Sequence, residues 1–235
     1  MNKNKKERRL HYSVAAIGGF LGGFAIVNHH DIMGNAQTAN LLSLTVSILG
    51  RDPLHVLLHV ASMALYMLGL SLTVLIPKYT RWNLRPVSLA IDAVTMGILA
   101  LMPSSTDDFV ALYPIFFAMA FQWNSFKGAD GYISSTIFST NNLRQFTTSL
   151  TEYFCDRDKK HLHKTSFYGG TLLFFHVGAA VSCLASLKMG TTAALAGFLP
   201  VGISLFFLLS ENNFLSLSKL QQRILGIFDN KYIEN

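Results

Sequence analysis

Apolar residues along this chain come in long blocks separated by short polar gaps. Six blocks approach the length of about 20 residues that a helix needs to cross a bilayer. They are His11–Asn28, Leu54–Ile76, Val87–Met102, Phe109–Phe126, Thr165–Leu187 and Thr191–Ser210, the third being short. Pro53, Pro77, Pro86 and Pro103 stand at block ends, where a helix tolerates proline best. Two other segments, 31–50 and 131–150, mix small, amide and hydroxyl residues. Exposed to lipid, each would leave its polar groups unsatisfied, so each is expected to be re-entrant, interrupted or interfacial. Past residue 212, Leu217, Leu220, Ile224, Leu225 and Phe228 between polar neighbours predict an amphipathic helix on the inner surface.

The expected fold is therefore an all-α polytopic membrane protein with six transmembrane helices. Composition agrees: 14% of the 235 residues are charged and 51% are hydrophobic, 18 of them Phe, against about a quarter charged in soluble domains. The net charge of +6 raises the question of a nucleic-acid partner. The cations are not gathered on one face, however, but lie in the gaps between blocks, so no such partner is expected. With the N-terminus in the cytoplasm, 17 of the 19 Lys and Arg fall on the cytoplasmic side and only Arg51 and Lys188 outside. That is the charge bias that orients membrane proteins, and it predicts a multi-pass protein of the cell membrane with both termini cytoplasmic. The basic start (Lys3, Lys5, Lys6, Arg8, Arg9) resembles a signal peptide, but no small-x-small site closes the apolar run, so it reads as a retained first span. Cys155 and Cys183 fall in a cytoplasmic gap and a span, which argues against a disulfide.

The two polar segments overlay on one another. Thr38-Ala39-Asn40-Leu41 matches Thr140-Asn141-Asn142-Leu143 at an offset of 102, and Tyr66-Met67-Leu68-Gly69 resembles Phe175-His176-Val177-Gly178 at 109. Three spans per half would make the second half inverted, the 3+3 architecture of many secondary transporters. The plainer alternative is coincidence among short polar turns. The halves would be 1–105 and 106–212, with 213–235 as the tail.

At Asn35-Ala36-Gln37-Thr38-Ala39-Asn40, preceded by Gly18-Gly19-Phe20-Leu21, the sequence resembles the YoaK family of uncharacterised six-span bacterial membrane proteins. That family's acidic residue after the glycines corresponds to Gly22 here, and its glycine before the last Asn to Ala39. The resemblance implies a six-span fold and a membrane location, and no settled activity.

Asp92 lies inside the third block. An acid in hydrocarbon normally faces a cavity or carries a functional proton, which makes Asp92 the proton-coupling candidate; the alternative is a near-interface acid reaching back to Arg85 or Arg81. Asn35, Gln37, Thr38 and Asn40, with Ser139, Thr140, Asn141 and Asn142 as symmetry mates, both donate and accept hydrogen bonds. They suit the binding of an uncharged or zwitterionic solute, or else satisfy unwound backbone. His29, His30, Asp31, His55 and His59 gather near the outer ends of two spans. His55 and His59, four apart, have a spacing that can chelate a metal, but no complete motif is present. His176 reads as a core histidine, and Gln122, Trp123 and Asn124 as an interfacial belt. Gly18-x-x-x-Gly22 and Gly19-x-x-x-Gly23 predict close helix packing or a homo-oligomer contact. No nucleotide-binding loop or nucleophile elbow is present and no cofactor is expected. The leading expectation is a permease for a small solute. Behind it stand a metal-binding protein or membrane enzyme, and a scaffold without catalysis.

Overall fold

The computed structural model describes residues 3–29, 32–103 and 105–211. The expected tail helix and the candidates His30 and Asp31 lie outside them. The described chain is almost wholly helical: α1 (Lys3–Asn28), α2 (Gln37–Leu49), α3 (Pro53–Tyr79), α4 (Leu84–Leu101), α5 (Asp108–Ala111), α6 (Tyr113–Ser125), α7 (Thr140–Asp156), α8 (Lys159–Met189) and α9 (198–211). A 3-10 segment, Gly190–Gly197, joins the last two. The only strands among the described residues, Gly128–Ala129 and Tyr132–Ile133, form a hairpin closed by Asp130 and Gly131, both at positive φ. Asp-Gly is the pair that such a two-residue turn favours.

Four stretches are long and apolar enough to cross a membrane: Lys3–Asn28, Pro53–Tyr79, Leu84–Leu101 and Lys159–Glu211. Lipid is the environment that fits them. The expected fourth block is broken at Leu112 into α5 and α6, and α6 has 13 residues. The fifth and sixth lie together in the 53-residue stretch. Helix starts also move: α1 begins at Lys3, and α4 takes in Pro86 near its first turn, while Pro77 sits inside the end of α3.

Side-chain meetings give the directions of the rods. α8 runs with α1, because Gly19 meets Phe175, Gly23 meets Ala179 and Asn28 bonds Ser186. α9 runs against α1, since Ser204 donates to Ser13 and Lys6 donates to the Ser210 carbonyl. α6 also runs against α1, with Gln122 on Val14 and Ile115 beside Gly34. α3 runs with α6, through Tyr113 on the Leu58 carbonyl and Asn124 on Thr73. α4 opposes α9, through Arg85 on Glu211 at one end and Met96 on Gly197 further along. In chain order α1, α3, α4, α6, α8 and α9 therefore alternate in direction.

α1 is the central rod, with 78% of its apolar window buried inside the molecule, against 22% for α3. In lipid the hydrophobic effect does not drive helices together, and close packing of small residues does. The α1 glycines serve that end within the molecule. A Cβ at Gly19 would run into the Phe175 carbonyl of α8, and one at Gly23 would lie 2.9 Å from the Ala179 carbonyl. α2 packs along α3 and α7 along α8.

Candidate functional site

The two polar segments meet at the middle of α1. After α1 ends at Asn28 the chain turns back, so that Asn35 Nδ2 donates to the Gly18 carbonyl at 2.7 Å and to the Ile137 carbonyl at 2.9 Å. Gly18 lies ten residues, or about 15 Å, below the end of α1, so both segments reach deep between the rods. The second segment is anchored from α6: Gln122 Nε2 donates to Thr136 Oγ1 at 3.0 Å and to the Val14 carbonyl at 3.4 Å. The glycines make room for this. A Cβ at Gly18 would run into the Thr136 carbonyl, and one at Gly22 would sit 2.8 Å from the Asn35 amide.

From this junction the two short helices lead away, α2 at Gln37 and α7 at Thr140. Neither N-cap, Ala36 nor Ser139, caps its helix with a side chain. The first N–H groups of both helices, and the positive ends of their dipoles, point back toward the junction. Asn35 Oδ1, Gln122 Oε1, Gln37 Nε2 and Ser139 Oγ are buried atoms without a hydrogen-bond partner among the described residues.

The other candidate amides are engaged locally. Asn40 donates to Gln37 Oε1 and to Ser62 Oγ, each at 2.7 Å, and its Oδ1 meets His59 Nδ1. Asn142 donates to the Ser135 carbonyl at 2.6 Å and accepts from Ser134 at 2.9 Å. Asn141 accepts from Arg144, while Thr38 and Thr140 are exposed. Asp92 is fully buried on α4, and among the described residues neither of its carboxyl oxygens, nor Ser88 Oγ one turn away, has a hydrogen-bond partner. It does not reach back to Arg85, which instead pairs with Glu211 at 3.1 Å.

Two expectations change. Gln122 belongs to the junction rather than to an interfacial belt. The signal available in the sequence was one amide late in an otherwise apolar helix. His176 is exposed, not in the core, with Nδ1 on its own helix's Leu172 carbonyl. Of the histidines near the helix ends, the described His29, His55 and His59 have separate partners. His29 pairs with Asp108 at 2.9 Å, His55 with Asp52 at 2.7 Å and His59 with Asn40. Among the described residues no group of three His, Cys, Asp or Glu gathers. At the hairpin, Asp130 holds His163 at 2.8 Å and Arg8 at 3.7 Å. Partial burial, and then the Asp130 charge, push the neighbouring Tyr132 hydroxyl above its ordinary pKa.

A family of proteins of unknown function, DUF1275, matches residues 10–209. The chain belongs to the DUF1275 family. No curated protein and no solved structure matches it. The DUF1275 match covers both polar segments and every rod from α1 to nearly the end of α9. It supports the resemblance in kind, to an uncharacterised family, and leaves the activity to be argued from the site.

This DUF1275 chain also carries two apolar grooves on its flanks. The first, about 450 Å³, lies between α1, α8 and α9, with Tyr12, Ala16, Phe174, Leu199, Ile203 and Phe207 in its wall. The second, about 600 Å³, lies between α6, α3 and α4, with Tyr113, Phe117, Leu65, Ala90, Val94 and Ile98.

Proposed function

We propose that this chain is a permease of the cytoplasmic membrane for a small uncharged or zwitterionic solute. It is built from six spans in a 3+3 inverted repeat with both termini cytoplasmic, and is coupled to protons through Asp92. The observation that carries the reading is the hydrogen bond from Asn35 to Ile137. It joins the two interrupted segments at mid-depth, between residues 102 apart, the same spacing by which the segments overlay in sequence. A pseudo-twofold axis would pass between them, where inverted-repeat transporters have their sites.

The packing supports the repeat. The two grooves correspond residue by residue: Tyr12 and Ala16 to Tyr113 and Phe117 at an offset of 101, and Phe174, Leu199, Ile203 and Phe207 to Leu65, Ala90, Val94 and Ile98 at 109. Gly178 and Gly69, also 109 apart, each admit a backbone carbonyl from the first rod of the opposite half, Ala16 and Phe117. The alternation of six rods supports six crossings. The Lys and Arg that follow the rod ends gather on the N-terminal side, which supports the orientation.

The junction offers what a neutral solute needs. Unpaired amide and hydroxyl atoms from both halves donate and accept, and two helix N-termini favour the electron-rich end of a dipolar solute. Asp92 is the intramembrane acid that such a carrier needs for coupling. Among the described residues nothing comparable supports a metal site or an enzyme.

The test is cysteine accessibility together with flux. Gln37→Cys and Ser139→Cys, in a background lacking Cys155 and Cys183, should react with a small water-soluble thiosulfonate in intact vesicles. Proteoliposomes should pass urea or glycine faster than protein-free ones. Asp92→Asn should abolish the response of flux to a proton gradient while insertion is unchanged. Two unreactive cysteines with no flux would leave a scaffold as the remaining reading.

A further inference from the structure

We infer that the groove between α1, α8 and α9 is a binding site for one anionic phospholipid, drawn from the leaflet that contains the N-terminus. The inference is independent of solute transport and requires only that the flanks face lipid.

Three observations carry it. The groove opens outward, because Val177, Val181, Leu199 and Ile203 are each 40% exposed or more, and its wall is almost entirely apolar. Along α1 it extends from Arg9 to Phe20, eleven residues or about 16 Å. That is close to half of the roughly 30 Å hydrocarbon core, which is the depth of one acyl chain in one leaflet. Arg9 then closes the groove at its shallow end. It is exposed, stands one turn from exposed Lys5 on the same helix face, and neither cation is ion-paired within the described residues. Arg8 beside it is committed to Tyr12, Ser166 and Asp130. A basic group over an apolar slot between membrane helices matches a phospholipid with an anionic headgroup, phosphate on the cation and chain in the slot.

The second groove is a built-in control. It is as apolar and somewhat larger, but Trp82 and Tyr113 are at its ends and no cation among the described residues lines it. At an offset of 101, Val110 corresponds to Arg9. The two halves therefore share a slot, and only the N-terminal one carries the headgroup contact.

The experiment is native mass spectrometry of the detergent-purified full chain, titrated with phosphatidylglycerol or with phosphatidylcholine of the same chains. One phosphatidylglycerol is expected to bind in preference. Arg9→Gln should weaken it about fivefold, the equivalent of about 1 kcal/mol for a surface cation. Ile203→Trp, which fills the slot, should remove the bound lipid. Val94→Trp, its counterpart in the other groove, should change nothing. Equal binding of both lipids, or phosphatidylglycerol binding indifferent to Arg9→Gln and Ile203→Trp, overturns the inference. So does a dimer that Ile203→Trp disrupts whichever lipid is present, since the occupant would then be a second copy of the chain.

Discussion

Asn35→Asp is a sharp perturbation of the junction, because it keeps the side chain's shape and removes the amide group that donates both hydrogen bonds. Asn35 is 1% exposed, and its amide nitrogen supplies two hydrogen bonds to carbonyl oxygens at 2.7 and 2.9 Å. A typical net worth near 1 kcal/mol per bond, plus a small void, puts Asn35→Ala at about 2–3 kcal/mol of destabilisation. Asp replaces the donor by a second oxygen facing the same two carbonyls, where the side chain is buried. The cost of an unpaired buried polar group then adds to the lost bonds, for about 4 kcal/mol or more. For a chain of this size 1 kcal/mol corresponds to about 2–4 °C in melting temperature. Asn35→Ala should therefore melt roughly 5–10 °C below wild type in detergent, and Asn35→Asp lower still. The order is the decisive result. If Asp is tolerated as well as or better than Ala, Asn35 is not a donor clamping the two segments, and the derived geometry of the junction is wrong.

Gly178→Leu and Gly69→Leu should each destabilise by about 1–3 kcal/mol, because each added side chain must displace a backbone carbonyl of a neighbouring rod. Gly97→Ala, with open space around it, should be neutral or slightly stabilising in the same melts, and equal effects at all three positions would refute the packing argument. Asp52, the N-cap of α3, has its carboxyl held below the ordinary value by hydrogen bonds from the His55 backbone N–H and ring. A depressed carboxyl stabilises above its unfolded value of about 3.9, and that contribution is lost as pH falls through the folded value. Hydrogen exchange in the first turn of α3 should therefore quicken in acid, beyond the intrinsic chemical effect, and Asp52→Asn should flatten the response. Cys155 is exposed near the end of α7, on the side assigned to the cytoplasm. An impermeant maleimide should label it in inside-out vesicles only, and labelling from outside intact cells would reverse the proposed orientation.

Much of the architecture was legible because the bilayer imposes a coarse rule on the chain. Apolar blocks announced where the long helices lie, and prolines came close to their ends. The amide-rich stretches around Gln37 and Asn142 announced two segments unlike ordinary lipid-facing spans, and each contains one short helix, α2 or α7. Asp92 read as an acid inside a helix, and it is one, fully buried. The glycines of α1 read as a packing surface without a partner named, and the partners turned out to lie within the molecule.

The remainder depended on which side chains meet across the sequence. A block facing lipid and a block buried in protein are equally apolar, so hydropathy cannot tell that α1 is central while α3 is peripheral. Nor can it tell that Gln122 turns inward to Val14 and Thr136 while His176 turns outward. Asn35 looks like any polar loop residue until Ile137, a hundred positions away, presents its carbonyl. Composition alone decides what can enter the bilayer, because transfer from water depends on each residue by itself. Shape and hydrogen bonding between distant residues decide how the rods then assemble, because in lipid little else distinguishes one apolar surface from another.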